Sequence, residues 1–252
     1  SISFLFKGLI MDKKEEFLTI FRELEEEIVK ISGLDEGYVS FNRALNEIHS
    51  KRLDPIIASD DAYEFLKSAL DLRNILSHRN DVAEPTDIFL ERFKKLSKNI
   101  IYPKKLIDIA TKGKNLVIAY PEDKVITIVK MMSSNMISHV PVYDEEGLFL
   151  GVFSRVSFFE FFSKNSKIQI CENTTIADII DSININNNTN ELYLFASINN
   201  YVIDFYNHMN KTKKEDRRLS AIFLTKNGKK SEPLLGIVTQ TDILKMILEE
   251  TN

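Results

Sequence analysis

A strand-to-helix junction that occurs twice is the feature of this sequence that most constrains its fold. Residues 235–242 read LGIVTQTD, an apolar strand that stops at a threonine before a helix, and residues 150–157 repeat the pattern as LGVFSRVS. Upstream, residues 116–126 and 193–203 align without gaps. Repetition of this kind indicates a duplicated supersecondary unit. We therefore predict two related copies in the C-terminal part of the chain.

The spacing between matched residues shows where the copies differ in length. Met132 and Met209 are 77 residues apart, whereas Gly151 and Gly236 are 85 apart. The second copy has therefore gained about eight residues between these two points. We assign the additional residues to the charged run 211–218.

Each copy is predicted to give a strand, a helix, a strand, a turn, a strand and a helix. Residues 144–147 (DEEG) and 226–229 (KNGK) have the composition of hairpin turns. The matching segments 106–109 (LIDI) and 176–179 (IADI) are predicted to begin the first and the second copy, respectively.

The residues before the copies predict a bundle of four amphipathic helices, because apolar residues recur at helical spacing. We expect a first helix over 12–32 and a second over 37–58, with Pro55 as a late kink or a stop. Residues 59–61 (SDD) cap a third helix, and residues 84–87 (EPTD) begin a fourth. Short connections between helices are typical of a bundle.

Composition and net charge limit the classes of function that the chain can have. The formal net charge of −4 predicts no general attraction to nucleic acid or to an anionic membrane. One cysteine, Cys171, excludes an internal disulfide and favours the reducing cytoplasm. Residues 1–10 are apolar but much shorter than the ~20 residues of a membrane span. We expect them to be an extension or a docking arm before Met11.

The repeated segments resemble CBS modules. The resemblance rests on residues 137–144 (ISHVPVYD), Gly147 and residues 151–154 (GVFS) in the first copy, and on residues 236–242 (GIVTQTD) in the second. It implies two β-α-β-β-α units that pack face to face through their sheets and leave two related clefts. It also implies an adenine nucleotide, AMP, ADP or ATP, as a regulatory ligand, with no metal required, and a homodimer.

Thr239 and Asp242 have a structural interpretation and a functional one. A threonine N-cap with an acid three residues later is similar to a capping box, worth ~1 kcal/mol to the helix. The same carboxylate can accept both hydroxyls of a ribose, while the Thr239 hydroxyl and the helix N-terminus face a phosphate. The first copy has Ser157 at the acidic position. We therefore predict one nucleotide site and not two.

The resemblance also places the remaining ligand contacts. The adenine would lie between apolar residues of the other copy, and the Ser138 backbone would offer a hydrogen bond. Arg217 and Arg218 could reach the phosphates, as could Lys112 or His139, unless these residues are simply solvated. The apolar residues expected around the adenine are Val117, Ile137 and Pro141.

The predicted third helix contains LRNILSHR, residues 72–79, which resembles the HEPN family. In nuclease members of that family, the resemblance implies metal-free RNA cleavage by two protomers. His78 would help to activate the ribose 2′-hydroxyl, Arg73 would stabilise phosphate charge, and Asn74 would be their polar neighbour. The alternative is a structural pair in an inactive dimerisation module.

Together these patterns predict an α+β protein. Residues 1–100 would form a helical HEPN-like domain, 101–164 the first CBS motif and 165–252 the second. The expected function is a cytoplasmic, homodimeric sensor in which an adenine nucleotide controls the helical domain. The alternatives are a nucleotide-gated, metal-independent ribonuclease with RNA as substrate, and a structural adaptor with an empty cleft.

Overall fold

The computed structural model describes residues 12–35, 37–78, 83–164, 170–187, 191–210 and 218–251. The expected N-terminal extension, residues 1–10, lies outside the described residues. By their contacts the residues form two compact units. The first contains the chain up to Lys104 together with Tyr201–Asn207 and the helix from Leu244 onward, and the second contains Lys105–Asn200 and His208–Ile243.

The first unit contains the four predicted helices. Their apolar stripes meet in one core, in which the rings of Phe17, Phe21 and Phe93 lie 4.6 to 6.1 Å apart between centroids. Burial of these large side chains is the main source of stability for such a bundle. The helices are α1 (Lys13–Ser32), α2 (Phe41–Lys51), α3 (Asp60–His78) and α4 (Asp87–Ile101).

Helix α2 is shorter than the predicted run 37–58. It begins after Ser40, whose hydroxyl accepts a backbone N–H of the first turn, and it ends at Lys51. The next residue, Arg52, has a φ of 52°, a left-handed conformation that stops the helix. The helix therefore ends before Pro55 is reached, and the prediction of a kink or stop at that proline was wrong.

The apolar pattern continued beyond α2 because Ile56 and Ile57 are buried in a turn. The Asp54 carboxylate holds this turn by accepting the backbone N–H groups of both isoleucines, each at 2.9 Å. Asp54 is only 3% exposed. Burial raises the pKa of Asp54 to about 6, against the two hydrogen bonds, which lower it. Ionised Asp54 is therefore costly in the folded state.

We expect Asp54→Asn to stabilise the protein above pH 6. Because the folded pKa lies above the ordinary value of 3.8, the cost of ionisation is absent below pH 3.8 and complete above about pH 6. The asparagine oxygen keeps the acceptor without the charge. The free energy of unfolding at pH 7.5 should rise by up to about 3 kcal/mol. Urea denaturation at pH 7.5 and pH 5 measures this.

Asp71→Asn, an exposed change on α3, is the matched control and should alter neither value. Loss of stability in Asp54→Asn at pH 7.5 would contradict the assignment of a buried charge.

The second unit is built from short helices and two sheets. Strands β2 (His139–Tyr143) and β3 (Phe149–Ser154) pair in an antiparallel hairpin. The other sheet has, in order, β1 (Thr111–Lys112), β6 (Gly236–Thr239), β5 (Arg218–Thr225) and β4 (Glu191–Ser197), and β4 and β5 are parallel. Helices α9 (Val202–Asn210) and α10 (Gln240–Thr251) each group in part with the first unit. The remaining elements are α5 (Leu106–Ile109), α6 (Val125–Ser134), α7 (Arg155–Lys164) and α8 (Ile180–Ile183), with 3-10 turns at Gly113–Asn115 and Ala177–Ile179.

The first predicted strand of the first copy, residues 116–120, is reduced to one bridge. Ala119 pairs in parallel with Val142, donating to the Pro141 carbonyl and accepting from Tyr143, each at 3.0 Å. The chain enters this segment from the 3-10 turn at Gly113–Asn115, so only Ala119 comes into register with β2. Its counterpart β4 is a full strand.

The opening segments of the two copies each pack on the other copy. Strand β1, which follows α5, pairs with β6 of the second copy, with Thr111 opposite Ile237. Helix α8 in turn packs on β3 of the first copy, where the Ile183 carbonyl lies against Gly151.

The first predicted hairpin turn is present, with Gly147 at φ 80°. In the second copy, Gly228 at φ 78° lies in a bend at the start of a longer connection, residues 226–235, between β5 and β6. The hairpins differ in length, because Pro141 pairs with Val152, eleven residues later, whereas Phe223 pairs with Ile237, fourteen residues later. Three of the eight additional residues therefore lie in the second hairpin. Assigning all of them to residues 211–218 was wrong.

Aromatic side chains of the two sheets contact one another. Phe149 of the first copy contacts Phe195 and Phe223 of the second, with ring centroids 5.1 and 5.6 Å apart. Tyr193 stacks on Phe223 at 5.8 Å. This aromatic layer holds the copies together and positions the strand ends at which the candidate site lies.

Candidate functional site: a cleft at Asp242

A cleft of about 630 Å³ opens in the second unit. Its volume lies in the range of small-molecule sites, roughly 300–1,000 Å³. Residues of both copies line it, and we call it the Asp242 cleft. The first copy contributes Lys114, Val117, Asn135, Ile137, Ser138 and His139, and the second contributes Ile237, Thr239, Thr241 and Asp242, among others.

Asp242 caps helix α10 and also faces this cleft. Its Oδ2 accepts the Thr239 backbone N–H and the Thr239 hydroxyl, each at 2.7 Å. Among the described residues, none donates a hydrogen bond to Oδ1. Asp242 is half-buried and lines the cleft. The capping interpretation is therefore confirmed, and it leaves one carboxylate oxygen available to a ligand.

The same capping geometry occurs away from the cleft. The backbone N–H and hydroxyl of Thr175 donate to Asp178 Oδ2 at 2.8 and 3.1 Å. Asp178 is exposed and does not line the Asp242 cleft. A Thr-x-x-Asp cap alone therefore does not mark a site, and the surrounding cleft distinguishes Asp242.

The first copy keeps the cap without the acid, as the sequence predicts. The Ser154 backbone N–H donates to the Ser157 hydroxyl oxygen at 2.8 Å, and the Ser157 N–H donates to the Ser154 hydroxyl oxygen at 3.1 Å. Both side chains are buried. Through these two hydrogen bonds, Ser154 and Ser157 cap the N-terminal end of α7.

In the first copy, a buried carboxylate contacts Ser154, the counterpart of Thr239. Glu191, the counterpart of Lys114 in the aligned copies, accepts the hydroxyls of Ser154 and Tyr193 at 2.6 and 2.9 Å and lies 3.1 Å from His139 Nε2. Burial alone would raise the pKa of Glu191, but these three hydrogen bonds outweigh it and lower the pKa to about 2.

Sequence reasoning missed Glu191. The available signal was an acidic residue at the start of an otherwise apolar strand, ELYLFAS. Two of the partners named above, His139 of β2 and Ser154 of β3, lie far away in the sequence. Only the packing of the two copies brings them together.

Several predicted site residues meet in the cleft. Val117, Ile137 and Ser138 line it with Thr239 and Asp242.

Of the remaining predicted contacts, His139 also lines the cleft, and the other described ones do not. Pro141 is buried in β2 opposite Val152 and does not line the cleft. The Arg218 Nε donates to Gln240 Oε1 at 3.0 Å, and the Lys112 Nζ donates to the Ile107 carbonyl at 2.7 Å. Arg217 lies outside the described residues. Among the described cleft residues, the basic side chains are therefore Lys114 and His139.

The predicted HEPN motif lies on α3. Arg73 is half-buried, with Nη2 3.5 Å from Glu25 Oε2 on α1, Nη1 3.2 Å from Asn74 Oδ1 and its guanidinium 5.6 Å from the centre of the Phe21 ring. These contacts give Arg73 a packing role between α1 and α3. His78, the last residue of α3, is exposed. A catalytic role for Arg73, Asn74 and His78 stays a prediction.

Two findings concern the part of the chain that the structure describes. Within it, no group of three or more histidine, cysteine, aspartate or glutamate side chains could hold a metal ion. None of its helices is both long and apolar enough to cross a bilayer.

Part of the chain matches a known family. The model of the CBS domain family matches residues 107–164. No curated protein matches the chain in sequence.

Solved structures that are similar to the chain include CBSX2 in complex with AMP, at 17% identity over 59% of this chain and 98% of that one, with a TM-score of 0.41. A CBS domain pair in complex with 5′-methylthioadenosine and S-adenosyl-L-methionine is 20% identical over 59% and 98%, with a TM-score of 0.43. A CBS domain protein from Streptococcus pneumoniae is 16% identical over 56% and 80%, with a TM-score of 0.41.

Proposed function

We propose that the protein is a regulatory protein that binds an adenine nucleotide in the Asp242 cleft. The observation that carries the proposal is a carboxylate that caps α10 through Oδ2 and keeps Oδ1 for a ligand in a cleft of about 630 Å³. A ribose presents two adjacent hydroxyl donors, which a carboxylate can accept. A capping carboxylate beside a cleft is thus suited to hold a sugar ring.

The other cleft residues support the same ligand. Val117 and Ile137 offer apolar contact to the faces of a purine ring. The N-terminal end of α10 provides a positive dipole end for a phosphate, and Lys114 provides a cation. AMP, ADP and ATP all present these three parts.

Regulation would pass through α10. This helix has Asp242 in its first turn, and its residues from Leu244 onward group with the helical unit. A ligand that contacts the first turn can favour one state of that unit only if it binds that state more tightly. We also propose that the protein acts as a homodimer.

Calorimetric titration of AMP, ADP and ATP into the full chain tests the proposal. We expect one site per chain, because Ser157 and the buried Glu191 leave the first copy's position without an acid that a ligand can reach. Two equal sites per chain would contradict this asymmetry. Absence of binding by all three nucleotides would contradict the proposed function.

A further inference from the structure

Two residues of the Asp242 cleft are connected to a buried carboxylate that the proposed function does not use. Ser138 and His139 both line the cleft. The Ser138 Oγ lies 2.9 Å from His139 Nδ1, and His139 Nε2 lies 3.1 Å from Glu191 Oε1. Glu191 is 7% exposed. A hydrogen-bonded chain therefore runs from the cleft wall to the interior of the second unit.

The position of Glu191 decides which His139 nitrogen carries a proton. Glu191 Oε2 already accepts hydroxyl protons from Ser154 and Tyr193. An ionised carboxylate only accepts, so His139 Nε2 must donate to Oε1. In the neutral ring, Nδ1 then has no proton and can only accept. The hydrogen bond from Nε2 to Glu191 therefore fixes the tautomer that the neutral His139 ring adopts.

The Ser138 hydroxyl must adapt to the charge of the ring. When His139 is neutral, Ser138 donates its proton to Nδ1 and presents only lone pairs to the cleft. When His139 is protonated, Nδ1 donates to Ser138 Oγ, and the hydroxyl proton becomes available to a ligand. A histidine ordinarily changes charge between pH 5 and 8. Protonation of His139 would thus change the cleft wall at Ser138 from an acceptor to a donor.

We propose that the chain Ser138–His139–Glu191 selects the purine edge that the cleft prefers, and that the preference depends on pH. This inference rests on the proposed function, in which the base lies beside Ile137 and Ser138. Position 6 of adenine is an amino donor, which fits the acceptor form of Ser138. Position 6 of hypoxanthine is an oxo acceptor, which fits the donor form.

The charged and titratable groups around His139 favour this behaviour. Glu191 and Tyr193 contact the ring from β4, Tyr193 by its edge at 5.8 Å between centroids. Burial and the neighbouring Glu191 carboxylate raise the pKa of Tyr193, which stays neutral. Lys114 and Asp242 line the same cleft with opposite charges. Glu191 is thus the direct counter-charge of His139 and a positioning residue for Ser138.

The test compares AMP with IMP, which differ in the base at position 6 and carry the same phosphate. Titration of the phosphate therefore cancels in the ratio of their dissociation constants. From pH 7.5 to pH 5.5, the ratio of the IMP constant to the AMP constant should fall roughly tenfold, the effect of exchanging one matched buried hydrogen bond for a mismatch. Calorimetry on the full chain measures both constants.

Three variants separate the proposed chain from general effects of pH. Ser138→Ala should bind both nucleotides with a ratio that no longer changes with pH. Ser134→Ala, an exposed serine of α6 that bonds only the Lys130 carbonyl, should keep the wild-type change. Glu191→Gln, checked for folding by circular dichroism, should weaken the change, because an amide can also donate to Nε2 and no longer fixes the tautomer of His139.

The outcomes distinguish this inference from the proposed function. A constant ratio in the wild type, with binding that still requires Asp242, would overturn the proton-controlled preference and leave the nucleotide site intact. A change that persists in Ser138→Ala would also overturn it. Failure of the wild type to bind either nucleotide at both pH values would overturn both proposals.

Discussion

Asp242→Ser is expected to abolish measurable nucleotide binding while the protein stays folded. The carboxylate would supply two charge-assisted hydrogen bonds to ribose hydroxyls, and their loss should weaken binding by roughly a hundredfold. Serine is preferable to alanine because Ser157 already performs the capping role in the first copy, where it exchanges hydrogen bonds with Ser154. The variant therefore removes the ligand contact and keeps the cap. Calorimetry with AMP measures the loss.

Asp178→Ser is the matched control for this prediction. It removes a carboxylate of the same capping geometry, bonded to Thr175, at a place outside the cleft. Both variants should unfold within about 1 kcal/mol of the wild type, the value of one cap. Binding by Asp242→Ser with wild-type affinity would show that the carboxylate only caps α10, and the proposed site would be wrong.

Gly151→Ala should be the most destabilising single change of a small residue in the second unit. A Cβ at Gly151 would overlap the Ile183 carbonyl oxygen and lie 2.7 Å from its carbonyl carbon. Both neighbouring atoms are backbone, so neither the strand nor α8 can relieve the clash by a side-chain rotation. We expect the free energy of unfolding to fall by about 3 kcal/mol or more. Urea denaturation followed by circular dichroism measures this.

Gly236→Ala provides the graded comparison at the equivalent position of the second copy. There the added Cβ would lie 3.1 Å from the Ala110 Cβ and 3.3 Å from the Thr111 carbonyl oxygen. A shift of a few tenths of an ångström relieves these contacts, so the expected cost is about 1 kcal/mol. Equal stability of the two variants would contradict the close approach of α8 to β3.

Much of the fold could be predicted from local patterns. The stripes of α1, α3 and α4 and the hairpin turn at Gly147 are properties of neighbouring residues, and all are present. Local patterns failed where apolar, buried residues are not part of a helix. Ile56 and Ile57 continue the apolar pattern of α2, but they are buried in a turn that Asp54 holds.

The candidate site was predictable only in part. Thr239, Asp242, Ile137 and Ser138 could be placed in one cleft because the two copies resemble a known pair of modules. The basic contacts were predicted only in part, because His139 lines the cleft but Arg218 is bonded to Gln240. Lys114, which also lines the cleft, was not among the predicted residues. Which lysine or arginine reaches a cleft depends on the path of the backbone and not on charge alone.

By itself, the sequence determined that the chain contains a duplicated unit after a group of amphipathic helices, and that the second copy alone has a carboxylate after its cap. Only the tertiary structure decided that β1 pairs with β6, and that Glu191 joins His139 to Ser154 inside the second unit. The physical reason is the sequence distance between the residues that interact. Periodicity and capping arise from residues within a few positions of one another, whereas strand exchange and a buried carboxylate depend on partners that folding brings together from distant parts of the chain.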